Sequence, residues 1–227
     1  IDFGPIGIGE RGDRVHTVSF QDISAVVSDS PIKKYSVGRD NLIPHERVIE
    51  EVMKTFTVLP VRFCTIADDE NQVKKILEKE HNKFLILLKD MEDKKELGLK
   101  AVFKEDIIYK DILAGHNEIR TLKERIGKEP AQSFAHQKLI EVGRLVESAL
   151  EEEKAECKEE ILSVLTPLAA DVKSNNTYGE RMIINAAFLV EKDRETEFDE
   201  RVQELSERHS EKIKFKYVGT LPPFNFV

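Results

Sequence analysis

The sequence is poor in the residues that most often announce a chemistry. Cysteine occurs twice, at Cys64 and Cys157, far apart. Two such residues give no disulfide framework and no Cys-rich metal knuckle, and they read as two reduced thiols of a cytoplasmic protein. No run approaches the roughly 18 apolar residues that a membrane-crossing helix needs. The opening residues carry no signal-peptide pattern. The chain starts on Ile1-Asp2-Phe3 rather than Met, and the expectation is that the true start, with a first β-strand, lies upstream. Basic residues are outnumbered, 35 Lys and Arg against 43 Asp and Glu, and the net charge of -8 argues against broad binding to nucleic acid or anionic membrane. The six histidines are scattered, and neither cysteine has a ligand-type neighbour, so no metal site is visible.

Two motifs start and fail. Gly7, Gly9 and Gly12 match G-x-G-x-x-G, whose glycines let backbone approach a pyrophosphate at a helix N-terminus. The segment that follows, RVHTVSF, alternates like a strand instead of opening a helix, so a loop is the better reading. His45-Glu46 begins the zinc-protease pattern, but the second imidazole needed one turn later is replaced by Ile49. His45 then reads as a packed or hydrogen-bonded structural histidine, and Cys64, beside Arg62 in a β-rich stretch, as a core cysteine.

What is present is a soluble-type pattern, 40% hydrophobic and 34% charged, long enough for one large domain or two small ones. Residues 1–14 read as loop. Val15–Phe20 and Ile23–Ser28 read as short strands around a Gln21-Asp22 turn. A helix is predicted from about Arg39 to Phe56, with Asn41 as candidate N-cap and an apolar stripe of Leu42, Ile49, Val52, Met53 and Phe56. Thr57–Ile66 (TVLPVRFCTI) reads as a strand in which Pro60 marks a start, edge or bulge. Asp69 and Gln72 resemble a capping box for a helix reaching about Met91. Leu97–Phe103 alternates, with Leu97, Leu99, Ala101 and Phe103 on one side and Lys100 on the other. Residues 105–165 are mainly helical, broken at Gly127 and Pro130 into a shorter and a longer helix. The charged block EEEKAECKEE is a solvated face of the longer one, opposite Leu139, Val142, Val146, Leu150, Cys157 and Ile161. The remainder reads β-β-α-β: Thr166–Lys173, the nearly continuous apolar run Arg181–Val190, a helix marked by Phe198, Val202, Leu205 and His209, and the alternating Lys212–Val218. The class is α+β, divided as 1–104, 105–165 and 166–227.

Three features stand out from a featureless domain. Arg62 is a charge in an apolar stretch. Asn185 sits inside an apolar strand, where it must find hydrogen-bond partners. The chain ends TLPPFNFV, which places Leu221, Phe224, Phe226 and Val227 on a Pro-stiffened tail that either docks on its own chain or is offered to a partner.

Several stretches together carry a resemblance. His45-Glu46-Arg47-Val48 followed by TVLPVRFCTI is similar to a family pattern HE-x-V…TVLPxRFGT, with Cys64 where glycine is usual. Glu96-Leu97-Gly98-Leu99-Lys100 matches ELGLK. MIINAAFLVEKDRETEFDERVQEL resembles the NxAFLV…F…V…L block. IKFKYVGTLPPFNFV resembles the F.YTGPxPPYxFV terminus, with Thr220 for proline and Phe224 for tyrosine. In this order, from about residue 22 to 227, they resemble the GvpL/GvpF family of gas vesicle accessory proteins. The resemblance implies two modified ferredoxin-like α+β domains linked by helical segments. It implies a non-catalytic assembly factor or minor component of the cytoplasmic gas vesicle, in contact with the shell protein GvpA and other accessory proteins. It implies no cofactor. The partner-binding candidates are Arg62 and the tail residues Leu221, Pro222, Pro223, Phe224 and Phe226. The rival expectation is a small-ligand-binding or enzymatic ferredoxin-like protein, because such sheets host unrelated functions.

Overall fold

The computed structural model describes residues 1–7, 12–126 and 132–227 and divides into two compact units. The first comprises Ile1–Glu96 with Thr220–Val227, the second Leu97–Gly219. Gly9 of the glycine pattern and the Gly127 to Pro130 helix break lie outside the described residues.

In the first unit, β1 (Asp2–Gly4), β2 (Val15–Phe20) and β3 (Ile23–Ser28) form an antiparallel sheet in that order. Phe20 pairs with Ile23, so Gln21-Asp22 is a two-residue hairpin loop, with Gln21 in the left-handed region at φ 52°. β1 falls where the sequence suggests only loop; three residues are too few for a period-2 signal. Two helices complete the unit, α1 (Arg39–Met53) and α2 (Glu70–Met91). Val15, Val18 and Ile23 from the sheet, Ile49 and Val52 from α1, and Leu77 and Met91 from α2 are buried. The cap of α2 is as expected: Gln72 N donates to Asp69 Oδ1 (2.8 Å), and Asp68 N donates to Gln72 Oε1 (2.6 Å). The cap of α1 is not. Its N-cap is Gly38, while Asn41 lies inside the helix and its Nδ2 donates to Ser36 O (3.0 Å). α1 also stops before Phe56, which leaves the apolar stripe and is exposed.

The predicted strand over Thr57–Ile66 does not form. Pro60 has no N–H for a ladder, Cys64 is left-handed at φ 67°, and Thr65 N turns back onto Arg62 O (3.2 Å).

The second unit carries a four-stranded sheet of order β5-β6-β4-β7. Its elements run β4 (Lys94–Phe103), α3 (Glu105–Gly115), α4 (Asn117–Ile126), α5 (Gln132–Leu165), β5 (Asp171–Ser174), β6 (Met182–Glu191), α6 (Glu195–Arg208) and β7 (Ile213–Leu221). The chain is thus the mixture of helix and sheet that its patterning predicts. On the central β4, Leu97, Leu99, Ala101 and Phe103 are buried and Lys100 is exposed, as the alternation requires. On β6 both faces are largely buried. The core joins these strands to Ile108 and Ile112 of α3, Ile161 and Leu165 of α5, and Phe198, Val202 and Leu205 of α6. Phe188 and Phe198 meet at 5.2 Å between ring centroids. Glu160 of α5 accepts from Arg208 Nη1 (2.9 Å), and Lys212 pairs with Glu153 above the Phe103 ring. Three readings shift. The helical stretch has an additional break at His116, whose extended ψ of 94° ends α3. Leu139 is exposed. Thr166–Leu168 forms a tight helical turn ahead of a shorter strand.

Phe198 is wholly buried at the centre of this core. Truncating Phe198→Ala is expected to cost about 3–5 kcal/mol in a urea unfolding experiment, with any loss below about 1 kcal/mol inconsistent with this packing.

Candidate functional site

Among the described residues, the single buried charged side chain is Glu96, 2% exposed. It lies in the first unit, on the face of β4 opposite Leu97 and Leu99. Both of its oxygens are occupied by one residue of the C-terminal tail: Asn225 N donates to Oε2 (3.0 Å) and Asn225 Nδ2 to Oε1 (2.6 Å). Burial raises the Glu96 pKa above its ordinary value, and the two Asn225 donors work in the opposite direction. The tail is shaped for this grip. Phe224 N donates to Pro222 O (2.7 Å) and Phe226 N to Pro223 O (3.1 Å), so two successive turns present the Asn225 amide. Pro222 and Pro223 are buried, Leu221 and Phe226 are partly buried, and Phe224 and Val227 are exposed. The tail is therefore docked on its own chain, with Phe224 and Val227 still open to solvent.

The second assembly gathers the segment before α1, α1 itself and the segment before α2. His45 of α1 donates from Nε2 to Val61 O (2.9 Å); a carbonyl can only accept, so this nitrogen carries the proton. Its ring stands edge-on to Phe63 at 5.6 Å. Cys64 Sγ lies 3.6 Å from Tyr35 O. His45 is thus the hydrogen-bonded structural histidine that its place on the helix suggests. These ties hold three stretches together that expose large apolar side chains: Ile32, Val37, Ile43, Phe56, Val61 and Ile66, with Val37 at 79%. Arg62 is exposed within the last stretch, and its carbonyl accepts from Thr65 Oγ1 (2.8 Å). The candidate Arg62 and the tail thus enter different hydrogen bonds, Arg62 through its carbonyl to Thr65 and the tail through Asn225 to Glu96.

Cys64 is exposed rather than in the core, because the strand that would have buried it is absent. Its φ of 67° is a conformation that glycine adopts freely and a residue with a Cβ adopts at a cost. Asn185 of β6 is an anchor: its Nδ2 donates to Asn176 O (2.8 Å), while Asn175 N donates to the Asn185 carbonyl (2.7 Å).

Sequence reasoning missed Glu96 as an individual residue. On an alternating strand, a glutamate in register with the exposed Lys100 looks like a solvated position. The available signal was the lone Asn225 between two phenylalanines in an otherwise apolar terminus. Among the described residues, no three His, Cys, Asp or Glu side chains gather as metal ligands, and no helix is long and apolar enough to cross a membrane.

Comparison with known proteins matches residues 2–227 to the family model described as gas vesicle synthesis protein GvpL/GvpF. A gas vesicle protein F from Streptomyces sp. (strain CB03234) is 29% identical over 221 residues, 97% of this chain and 91% of the relative. One from Dolichospermum flosaquae is 25% identical over 215 residues, 93% of this chain and 86% of the relative. The crystal structure of GvpF from Anabaena sp. PCC7120 superposes with a TM-score of 0.86 at 23% identity, covering 100% of this chain and 91% of that one. That of GvpF from Microcystis aeruginosa gives 0.78 at 22%, covering 96% and 90%.

The buried carboxylate gives a prediction with a sign. An acid whose pKa is raised by folding contributes stability below its unfolded pKa, and that contribution is lost as pH rises through the folded value. Removing a donor should therefore hurt most where the carboxylate is charged. Asn225→Ala is expected to destabilise by about 1.5–3 kcal/mol at neutral pH and by clearly less near pH 4, measured by urea unfolding at both. Equal losses at both pH values would show that Glu96 does not titrate in this environment. Separately, Cys64→Gly removes the left-handed strain and should raise stability by about 1 kcal/mol in the same assay.

Proposed function

The chain belongs to the GvpL/GvpF family of gas vesicle synthesis proteins, and from that premise we propose that it serves gas vesicle assembly as a non-catalytic accessory or minor structural protein. In this reading it binds the small hydrophobic shell protein GvpA and other gas vesicle accessory proteins, in the cytoplasm and at the vesicle. The observation that carries the reading is a set of exposed apolar side chains in the first unit, Ile32, Val37, Ile43, Phe56, Val61 and Ile66, on stretches tied together through His45 and Cys64. Scattered surface leucines need no explanation, but apolar residues concentrated on hydrogen-bonded neighbouring stretches fit a partner surface.

The physical task would be cover. A shell subunit rich in apolar surface aggregates through that surface and through open strand edges unless something shields them first. Arg62, exposed among the apolar residues, would supply a directional polar contact. In the tail, the buried Pro222 and Pro223 would hold Leu221, Phe224 and Phe226 in place, and Phe224 would extend the apolar contact. The reading also takes the protein as built on modified ferredoxin-like domains. Its support is the second unit, where the order β5-β6-β4-β7 is traversed as β-α-β-β-α-β. The first unit, a β1-β2-β3 sheet followed in the chain by two helices, does not follow that path, so the support comes from the second unit alone.

The test is co-purification of the full chain with the shell protein under a mild-salt wash. Val61→Asp combined with Ile66→Asp should cut retained shell protein by roughly tenfold, the equivalent of about 1.4 kcal/mol, with the unfolding curve unchanged. Wild-type retention by this variant would exclude these stretches as the contact. Wild-type retention after deletion of residues 221–227 would exclude the tail, and normal vesicle yield from Arg62→Ala would exclude that side chain.

A further inference from the structure

Among the described residues, the sheet of the second unit ends in an open strand edge. β7 is the terminal strand in the order β5-β6-β4-β7 among the described residues, so over residues 214–217 its outer side faces no further strand. Beside that edge runs an open groove of ≈ 690 Å³ between β7 and α6. Phe215 and Tyr217 from β7 and Val202 from α6 supply apolar lining, and Asp199, Glu200 and Glu204 supply carboxylates. The acidic character is a property of the whole helix: α6 carries six carboxylate residues against two arginines. Tyr217 OH donates to Asp199, and Arg201 Nη1 donates to Glu204 (2.7 Å), whereas Glu200 is exposed.

The opposite face of the same strand has the opposite charge. Along β7 the side chains alternate, with Phe215 and Tyr217 turned to the groove and Lys214 and Lys216 exposed on the other side. An added strand would thus meet two different environments at successive residues. On one side lie aromatic rings and carboxylates; on the other lies a pair of lysines.

We propose that the edge of β7 is a docking site for an extended segment of a partner protein, which adds as a fifth strand. Charge complementarity specifies that segment. Its groove-facing side chains are apolar and basic, meeting Phe215, Tyr217 and Glu200. Its outward-facing side chains are acidic, meeting Lys214 and Lys216, since opposite charges across paired strands stabilise and like charges do the reverse. The same rule disfavours a second copy of this strand as occupant in the antiparallel registers that set Lys214 or Lys216 against a lysine of the copy. Main-chain hydrogen bonds hold such a strand, and the alternating pockets select it. This site lies on the second unit and does not depend on the shell-protein reading.

The test uses the full chain and short fluorescein-labelled peptides read by anisotropy. In the matched peptide, odd positions alternate Leu and Lys and even positions are Glu. In the reversed peptide, Glu replaces Lys and Lys replaces Glu. The matched peptide is expected to bind at least about fivefold more tightly, and Glu200→Lys or Lys216→Glu should each weaken it by a similar factor. Both substitutions are at exposed positions, and an unchanged unfolding curve confirms that each variant is folded. Methylating alternate backbone nitrogens of the matched peptide should abolish binding, since the added strand then cannot donate. Three results would each overturn the site: equal affinity for both peptides, matched binding indifferent to both substitutions, or no binding by the folded chain up to about 1 mM, roughly 4 kcal/mol.

Discussion

The constraint on which the first unit depends is one buried carboxylate and the amide that satisfies it. A charge 2% exposed is tolerable only with hydrogen bonds on its oxygens. Glu96 receives both from Asn225, a residue 129 positions later. The chain leaves the first unit after Glu96 and re-enters it at Thr220, so the contact closes that unit on its own terminus. Because loop-closure entropy grows only slowly with length, the long excursion between the two residues costs little more than a short one would. The cost falls on the carboxylate. If Asn225 leaves, a charge remains in a place that water reaches poorly, and that asymmetry makes the tail's last turns part of the fold.

The long-range nature of this contact explains what was and was not legible in the sequence. Periodicity reports local geometry, and it reads most of the regular elements correctly while missing several of their ends. The β2–β3 hairpin, the capping box of α2, the alternation of β4 and the doubly buried β6 all show in the residues themselves. Thr57–Ile66 failed because its β-branched and apolar residues carry strand propensity while Pro60 and the backbone at Cys64 deny it a ladder. With no strand formed, the Val61 carbonyl went to the His45 imidazole and that of Arg62 to Thr65. Glu96 was hidden for the opposite reason. Its local pattern reads as solvated, and only a partner from the far end of the chain makes it buried.

The candidate surface was partly legible in the same sense. Arg62 and the tail are conspicuous in sequence because charge in an apolar stretch, and aromatic residues after two prolines, break local expectation. Where they sit could not be read, since that depends on turns closed by Pro222 and Pro223 and on the irregular path around Cys64. The glycine usual at that position in the family pattern has a physical explanation here. At φ 67° a Cβ is a burden, so the backbone path asks for glycine even though this chain carries cysteine.

The two surfaces differ in the kind of recognition that their chemistry permits. The exposed side chains of the first unit, from Ile32 to Ile66, present apolar area without a repeating backbone edge, which suits a broad and forgiving contact. The edge of β7 offers a fixed hydrogen-bonding register, with aromatic and acidic groups on one side and lysines on the other, which suits a narrow one. Edge lysines are also a common guard against indiscriminate strand pairing. Here Lys214 and Lys216 would repel a copy of the same strand yet attract a segment bearing outward carboxylates. Protection against the wrong strand and selection of the right one are then the same electrostatic fact, read from two sides.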